Sequence, residues 1–337
     1  MKDNRVVLAH GSGGLIARRL IEERLVPALG DRGPVSLDDG AFVDELPDGR
    51  IVLTTDGHVV DPLVFPGGDI GRLSVCGTVN DLAVMGAVPI ALTLGLVIEE
   101  GLPVDELVGY LDSMRTSAIE ADVGLVAGDT KVVPRGAADG LFITTSGLGV
   151  VPDGVSVSGS NARVGDAVLV SGPVGDHEMC ITALRSEIAL DVPLESDVAP
   201  ILGMVSALLD AVPDVHAMRD PTRGGTATAV CEIARASGVG VELHEEAIPI
   251  RPSVAAACEV LGFDPLYLAC EGRCLVFVPE EHSEIALSVL RSHPLGAESA
   301  IIGRCREYKP GRVVLKTAVG GGRVLDLLSG EQLPRIC

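Results

Sequence analysis

The sequence has no tryptophan, and only three tyrosines and five phenylalanines among 337 residues. So few rings disfavour stacking platforms for single-stranded nucleic acid. Basic residues are scarce as well: 26 Lys and Arg stand against 47 Asp and Glu, a net charge of −21. That balance argues against nucleic acid or an anionic membrane as the main partner. Nucleotides stay open, because backbone N–H groups and a bound metal can hold phosphates locally. Long apolar runs are missing too. The longest uncharged stretch, Leu82 to Ile98, is broken by Gly86, Pro89 and Gly95 and is shorter than the roughly 20 residues of a membrane span. No Cys-x-x-Cys occurs, and the eight cysteines have no regular spacing; they read as buried thiols in a reducing cytoplasm. Residues 1–10 are charged and do not read as a secretory leader.

What is present is a chain with 47% hydrophobic residues and 41 glycines, long enough for about two domains. Ile51–Thr55, Ile90–Ile98, Gly124–Ala127 and Leu141–Val150 read as strands. Asp69–Val84 and Val104–Ala121 read as helices, the second with Pro103, Asp105 and Glu106 at its start. Val155–Gly165 is polar and reads as a linker. Beyond it, Ala167–Ser171, Gly240–Leu243, Cys274–Val278 and Ala300–Gly303 read as strands. Helices are expected from Asp176, over Val198–Ala211, and after the glycine-rich turn at Pro221. This alternation predicts an α/β (α+β) fold. The domains expected are 1–155 and 156–319, with a flexible tail over 320–337.

Several segments could carry chemistry. His10-Gly11-Ser12-Gly13-Gly14 precedes a helix near Leu15, so its backbone could approach a phosphate. It is neither a Walker A loop nor a dinucleotide fingerprint, and a simple turn reads the same. Asp38-Asp39-Gly40, Asp56, Asn80-Asp81 and Asp129-Thr130 are expected at strand ends or in polar turns. Asp220 follows the same pattern. Each could merely cap a helix or close a turn; together they suit Mg²⁺ shared between carboxylates and phosphate oxygens. Lys131 adjoins this set and Glu271 sits beside Gly272, although a surface lysine and a turn glutamate look alike. Cys337, the last residue, could carry a covalently bound group on a swinging tail. Prenylation is excluded, since the cysteine would have to stand fourth from the end.

The runs HGSGG, TTDGHVVDPLVFPGGDIGRLSVCGTVNDLAVMGAVP, GDTKVVPRGAADGLFI, RDPTRGG and the terminal PRIC resemble the HypE family, the carbamoyl dehydratases of hydrogenase maturation. The resemblance covers nearly the whole chain. It implies a two-domain fold like that of aminoimidazole ribonucleotide synthetase, ATP and Mg²⁺ as cofactors, and a homodimer. It also implies a reaction: HypF loads a carbamoyl group on Cys337, ATP drives its dehydration to a thiocyanate, and a HypC–HypD complex receives the cyanide for iron. By that resemblance Asp39, Asp56, Asp81 and Asp220 hold metal and phosphate. Gly11, Gly13, Asn80, Asp129 and Thr130 place the nucleotide, Glu271 is the base and Lys131 stabilises phosphate charge. Two other readings remain: a non-catalytic ATP-binding carrier or scaffold, and a small-molecule kinase or synthetase of the same superfamily.

Overall fold

The computed structural model describes residues 5–38, 40–43, 46–186, 194–328 and 335–337. Asp39 lies outside the described residues. The described chain opens with a turn at Leu8–Gly11 and the short helices α1 (Leu15–Leu20) and α2 (Val26–Leu29). Next come β1 (Arg50–His58), a ribbon of β2 (Val64–Phe65) and β3 (Gly68–Asp69), and α3 (Ile70–Val84). The Asp69 side chain accepts the Arg72 N–H at 2.9 Å and starts α3 as a helix cap. Then follow β4 (Val88–Glu99), α4 (Val104–Glu120), β5 (Gly124–Val133) and β6 (Leu141–Val151).

Four of these strands form one sheet in the order β1-β6-β4-β5, in which only β4 and β5 are parallel. Alternation along β1 decides what the site receives. Ile51 and Leu53 are exposed, while Val52, Thr54, Asp56 and His58 turn to the face that carries α3. Residues Leu73, Val79, Leu92, Leu107 and Met114 fill the core between that face, α3 and α4.

A second sheet of seven strands follows, in the order β13-β12-β9-β11-β7-β10-β8. Its strands are β7 (Asp166–Val170), β8 (Ala217–Arg219), β9 (Gly240–His244), β10 (Leu275–Pro279), β11 (Ala300–Arg306), β12 (Val313–Lys316) and β13 (Gly322–Leu325). The helices are α5 (Asp176–Ser186), α6 (Leu202–Ala211), α7 (Gly225–Ser237), α8 (Pro252–Leu261) and α9 (Ser283–Ser292). β7 and β10 are buried throughout or nearly so, as strands covered on both faces must be.

The mixed α/β class holds, with mostly antiparallel pairing. Four expectations change in detail. Asp56 lies inside β1, and Asn80 and Asp81 inside α3, rather than at strand ends or in turns. β5 runs on to Val133 because it pairs with β4 as far as Glu99, so Asp129, Thr130 and Lys131 lie within a strand rather than in a turn. α6 begins at Leu202 rather than Val198, since Pro200 disfavours helix at the residue before it. The stretch expected to be a flexible tail begins as a strand: β13 pairs with β12 and buries Leu325. At the other end of that stretch Ile336 is buried and makes a β-bridge with Val60.

A buried acidic cluster with a docked terminal thiol

Asp56 leaves the inner face of β1 opposite α3. Thr78 and Asp81, three residues apart on one helix face, meet it there. Thr78 donates to Asp56 Oδ2 at 3.4 Å, and Thr54 donates to Asp81 Oδ2 at 2.6 Å. Gly77 leaves room: a Cβ there would stand 3.0 Å from the His58 ring and 3.6 Å from Asp56 Oδ2. The second sheet supplies the rest. Because β8 pairs with β10, with Leu275 opposite Arg219, the loops carrying Asp220 and Glu271 lie side by side. The Cys270 N–H donates to the Pro221 carbonyl at 2.9 Å. In the turn after Asp220, Gly224 and Gly225 both have positive φ, and a Cβ on Gly225 would stand 2.5 Å from the Leu268 carbonyl oxygen. Only glycine fits that approach.

Glu271 is held from its backbone. Asp197 accepts the Glu271 N–H at 3.1 Å and the Gly272 N–H at 3.2 Å. Asn80 donates to the Glu271 carbonyl at 3.1 Å and to the Ala199 carbonyl at 3.0 Å, and accepts the Ile201 N–H at 2.8 Å. Asn80 is therefore a structural clamp between the two halves, with its amide spent on protein partners. The Glu271 side chain is buried, and among the described residues its Oε1 has no hydrogen-bond partner.

The electrostatics follow from burial of like charges. Burial, then Asp81, pushes the Asp56 carboxyl up to about 6. Burial, then Asp81 and Asp56, pushes Asp220 up to about 7. Burial together with Asp220, Asp197 and Asp56 lifts Glu271 well above the usual carboxylate range. Arg223 opposes this: its guanidinium favours the charged forms of Asp56 and Glu271, and it drives His58, already pushed down by burial, to about 4. Sequence reasoning did not single out Arg223, although it stands three residues after Asp220 within RDPTRGG.

Cys337 enters this cluster. The Val59 N–H donates to the Cys337 carbonyl at 3.0 Å, and the Asp61 N–H to the Arg335 carbonyl at 3.3 Å. The thiol is pushed up to about 12, by burial first and then by Glu271, against an opposing hydrogen bond from Arg223. The other seven cysteines are buried, and all eight are unpaired. Cys270 and Cys274 are inert packing thiols, lifted far above the ordinary range by burial.

Gly11, Gly13, Asp129, Thr130 and Lys131 lie elsewhere. With His10, Asp38 and Gly128 they line a cavity of about 450 Å³ between the amino-terminal turn and β5. A Cβ on Gly11 would stand 2.7 Å from the Val132 nitrogen, so this turn sits directly on the strand. His10 Nδ1 accepts the Val7 N–H at 2.9 Å, and burial lowers its pKa. Lys131 pairs with Asp129 at 2.7 Å and holds that carboxyl below its ordinary range. The structure thus divides the expected residues between two edges of one sheet. Asp56 is on β1 and Lys131 on β5, three inter-strand gaps apart, or about 14 Å.

Among the described residues no three His, Cys, Asp or Glu side chains converge closely enough to hold a metal by themselves. The donor set is nonetheless of the right kind for Mg²⁺. It consists of carboxylate oxygens whose mutual repulsion a cation relieves, and Mg²⁺ commonly takes only one or two carboxylates beside phosphate oxygens. Among the described residues no helix is long and apolar enough to cross a membrane.

Comparison with known proteins agrees with this architecture. Residues 37–151 match the N-terminal domain of AIR synthase related proteins, and residues 163–316 match the C-terminal domain. Carbamoyl dehydratase HypE of Azotobacter vinelandii is 48% identical over 100% of this chain and 98% of its own length. The Escherichia coli K12 protein of that name is 44% identical over 99% of this chain and 100% of its own. Among solved structures, the hydrogenase maturation protein HypE in complex with ATP superposes with a TM-score of 0.94 at 44% identity, over 98% of this chain and 99% of that one. A thiamine-monophosphate kinase from Stenotrophomonas maltophilia K279a shares the fold, with a TM-score of 0.67 at 20% identity over 89% of this chain and 96% of that one. On these matches, and on the acidic cluster that receives the terminal thiol, the chain belongs to the HypE family of carbamoyl dehydratases.

Proposed function

We propose that this chain uses ATP to dehydrate an S-carbamoyl group on Cys337 to a thiocyanate, the source of a cyanide ligand in hydrogenase maturation. The observation that carries the reading is the return of the chain end to the exit of β1, where Ile336 bridges Val60 and the Cys337 carbonyl accepts the Val59 N–H at 3.0 Å, which brings the thiol within the fields of Glu271, Arg223 and Asp56. A carbamoyl group on that sulfur would lie against the charges of Glu271 and Arg223.

Carbamoyl oxygen is a poor leaving group and departs only as a phosphate ester, which is the task of ATP. Asp56, Asp81 and Asp220 would hold Mg²⁺. Bound there, it would neutralise the clustered carboxylates and the phosphate charge, which also lowers the Glu271 pKa. Glu271 then takes the nitrogen-bound proton as the phosphate leaves. Among the described residues its buried Oε1 has no hydrogen-bond partner, which leaves that oxygen free to accept a proton. Arg223 holds the sulfur end in place. Burial of the cluster keeps water from the intermediate.

The glycine turn and Asp129, Thr130 and Lys131 would bind the nucleotide, with Lys131 placed for phosphate charge. Since they lie on the opposite sheet edge, a homodimer in which a second copy completes the site is part of the proposal. The exposed Ile51 and Leu53 on the outer face of β1 support such pairing. Residues 1–155 would bind ATP and dimerise, and residues 156–319 would cover the site. The arm that carries Cys337 would begin after β13. A solved HypE–HypF complex, matched here with a TM-score of 0.81 at 46% identity over 84% of this chain and 92% of that one, supports HypF as the loading partner. A HypC–HypD complex is the proposed receiver, and the unpaired cysteines suit a cytoplasmic setting.

Intact mass of the carbamoylated protein tests this. With ATP and Mg²⁺ the chain should lose one water, and Cys337→Ala should never carry the adduct. No change in mass would favour a scaffold, and an adduct on another cysteine would refute the acceptor.

A further inference from the structure

In the docked arm, Arg335, Ile336 and Cys337 run antiparallel to residues 59–61. In such an antiparallel bridge the carbonyls that flank the bridging residue point to the partner segment and its own carbonyl points away. Those of Arg335 and Cys337 face the Asp61 and Val59 N–H groups and are satisfied there. The Ile336 carbonyl therefore faces away, into protein, where the Ile336 side chain is already buried. An unpaired carbonyl in that position would oppose docking. Its partner is His177 Nε2, at 2.6 Å.

His177 stands in the first turn of α5 and is fully buried. A carbonyl only accepts, so Nε2 carries the proton. Nδ1 must then accept, and Ser196 Oγ–H donates to it at 2.7 Å. Ser196 Oγ is held in turn by the Val198 N–H at 3.1 Å. The Phe65 ring packs edge-on against the imidazole, with centroids 5.5 Å apart. Burial keeps the ring neutral. Every contact of His177 thus fixes one tautomer and one orientation, aimed at the arm. Further out, Arg335 pairs with Asp139 at 2.6 Å, and Arg185 donates to the Arg335 and Asp61 carbonyls.

We propose that His177 is a positioning residue that helps to seat the terminal arm, its hydrogen bond to the Ile336 carbonyl, made by the ring tautomer that Ser196 sets, adding to the backbone pairing with residues 59–61 to hold the Cys337 thiol beside Glu271. Its role in catalysis rests on the reading of Cys337 as acceptor; its role in docking does not.

Docking can be read without ATP or any partner protein, from the rate at which iodoacetamide alkylates Cys337, followed by intact mass and peptide mapping. The docked thiol is partly buried and its pKa is pushed up by burial and by Glu271, so it should react more slowly than a released one, which is an ordinary cysteine, and the rate reports the undocked fraction. Loss of a buried hydrogen bond with its acceptor left behind shifts such an equilibrium by about tenfold or more. His177→Ala should raise the rate about tenfold with little change in circular dichroism. His177→Gln, whose amide can still donate to that carbonyl, should return it to within about threefold of wild type. Ser196→Ala is a milder second variant should the alanine at 177 not fold, and should raise the rate several-fold. An unchanged rate in folded His177→Ala or Ser196→Ala, or equal rates for the Ala and Gln variants, overturns the proposal. If alkylation responds as expected while no dehydration occurs at Cys337, the seat stands and the proposed reaction falls.

Discussion

Glu271→Gln separates a base from a turn residue. Burial and three neighbouring carboxylates lift the Glu271 carboxyl well above the usual carboxylate range, against Arg223, so a charge is already disfavoured there and a neutral glutamine of the same shape fits. The change should leave the melting temperature nearly unaltered and nucleotide affinity within a few-fold. Chemistry should respond differently, because glutamine cannot take a proton. A positioned general base contributes about 10²–10⁴-fold in rate, so dehydration should slow by at least about 100-fold, or about 2.7 kcal/mol in the barrier. The assay is a single turnover: protein already carbamoylated on Cys337 is mixed with ATP and Mg²⁺, quenched at intervals and weighed by intact mass. Loading by the partner enzyme is thereby removed from the measurement, and the carbamoylated species should persist in the variant. A near wild-type rate would refute the assignment and turn attention to Asp81 or His10.

Three further outcomes follow from the same geometry. Asp56→Asn removes one of the repelling carboxylates, so the protein alone should melt no lower, while Mg²⁺–ATP affinity by calorimetry should fall at least about tenfold; unchanged affinity would dismiss the metal site. Asn80→Ala leaves the Ala199 and Glu271 carbonyls and the Ile201 N–H without their partner, and should cost about 3 kcal/mol in denaturant unfolding; a cost within about 0.5 kcal/mol would contradict the clamp. Glu178 is buried, accepts the Ala269 N–H, and is pushed up to about 7 from 4.5, chiefly by burial. Between those values the folded chain keeps a proton that the unfolded chain has lost, so this group's contribution to stability falls as pH rises through the window, by about 3 kcal/mol at pH 8. Glu178→Gln should therefore melt above wild type at pH 8 and level with it below pH 4.5; parallel curves would count against this.

Much of the amino-terminal half was legible because its elements are long and strongly patterned. Residues 70–84 and 104–120 carry helix signals at their starts, Asp69 as cap and Pro103 with two acids, and the strands between them are nearly unbroken apolar runs. Fewer elements of the second half could be read. β8 has three residues and β13 four, too short for periodicity, and the latter is half glycine-rich approach. Within the site, the aspartates stood out by residue type and the terminal cysteine by position. What the sequence could not show is which of them meet. Asp56, Asp220, Glu271 and Cys337 come together only because β8 pairs with β10 and the chain end returns beside residues 59–61. Lys131 stays apart for the equally non-local reason that two strands intervene between β1 and β5. The clamp made by Asn80 and the contact made by His177 gave no signal, since both act through backbone carbonyls that lie far away in sequence.

The central claim is that a carbon–nitrogen triple bond forms on the sulfur of Cys337. Infrared spectroscopy of the carbamoylated protein, before and after addition of ATP and Mg²⁺, tests it directly with a ¹³C-labelled carbamoyl group. A nitrile band that appears only with ATP, shifts with the isotope and is absent from Cys337→Ser is the predicted result. Turnover of ATP with no such band, or a band that survives in Cys337→Ser, would contradict the account.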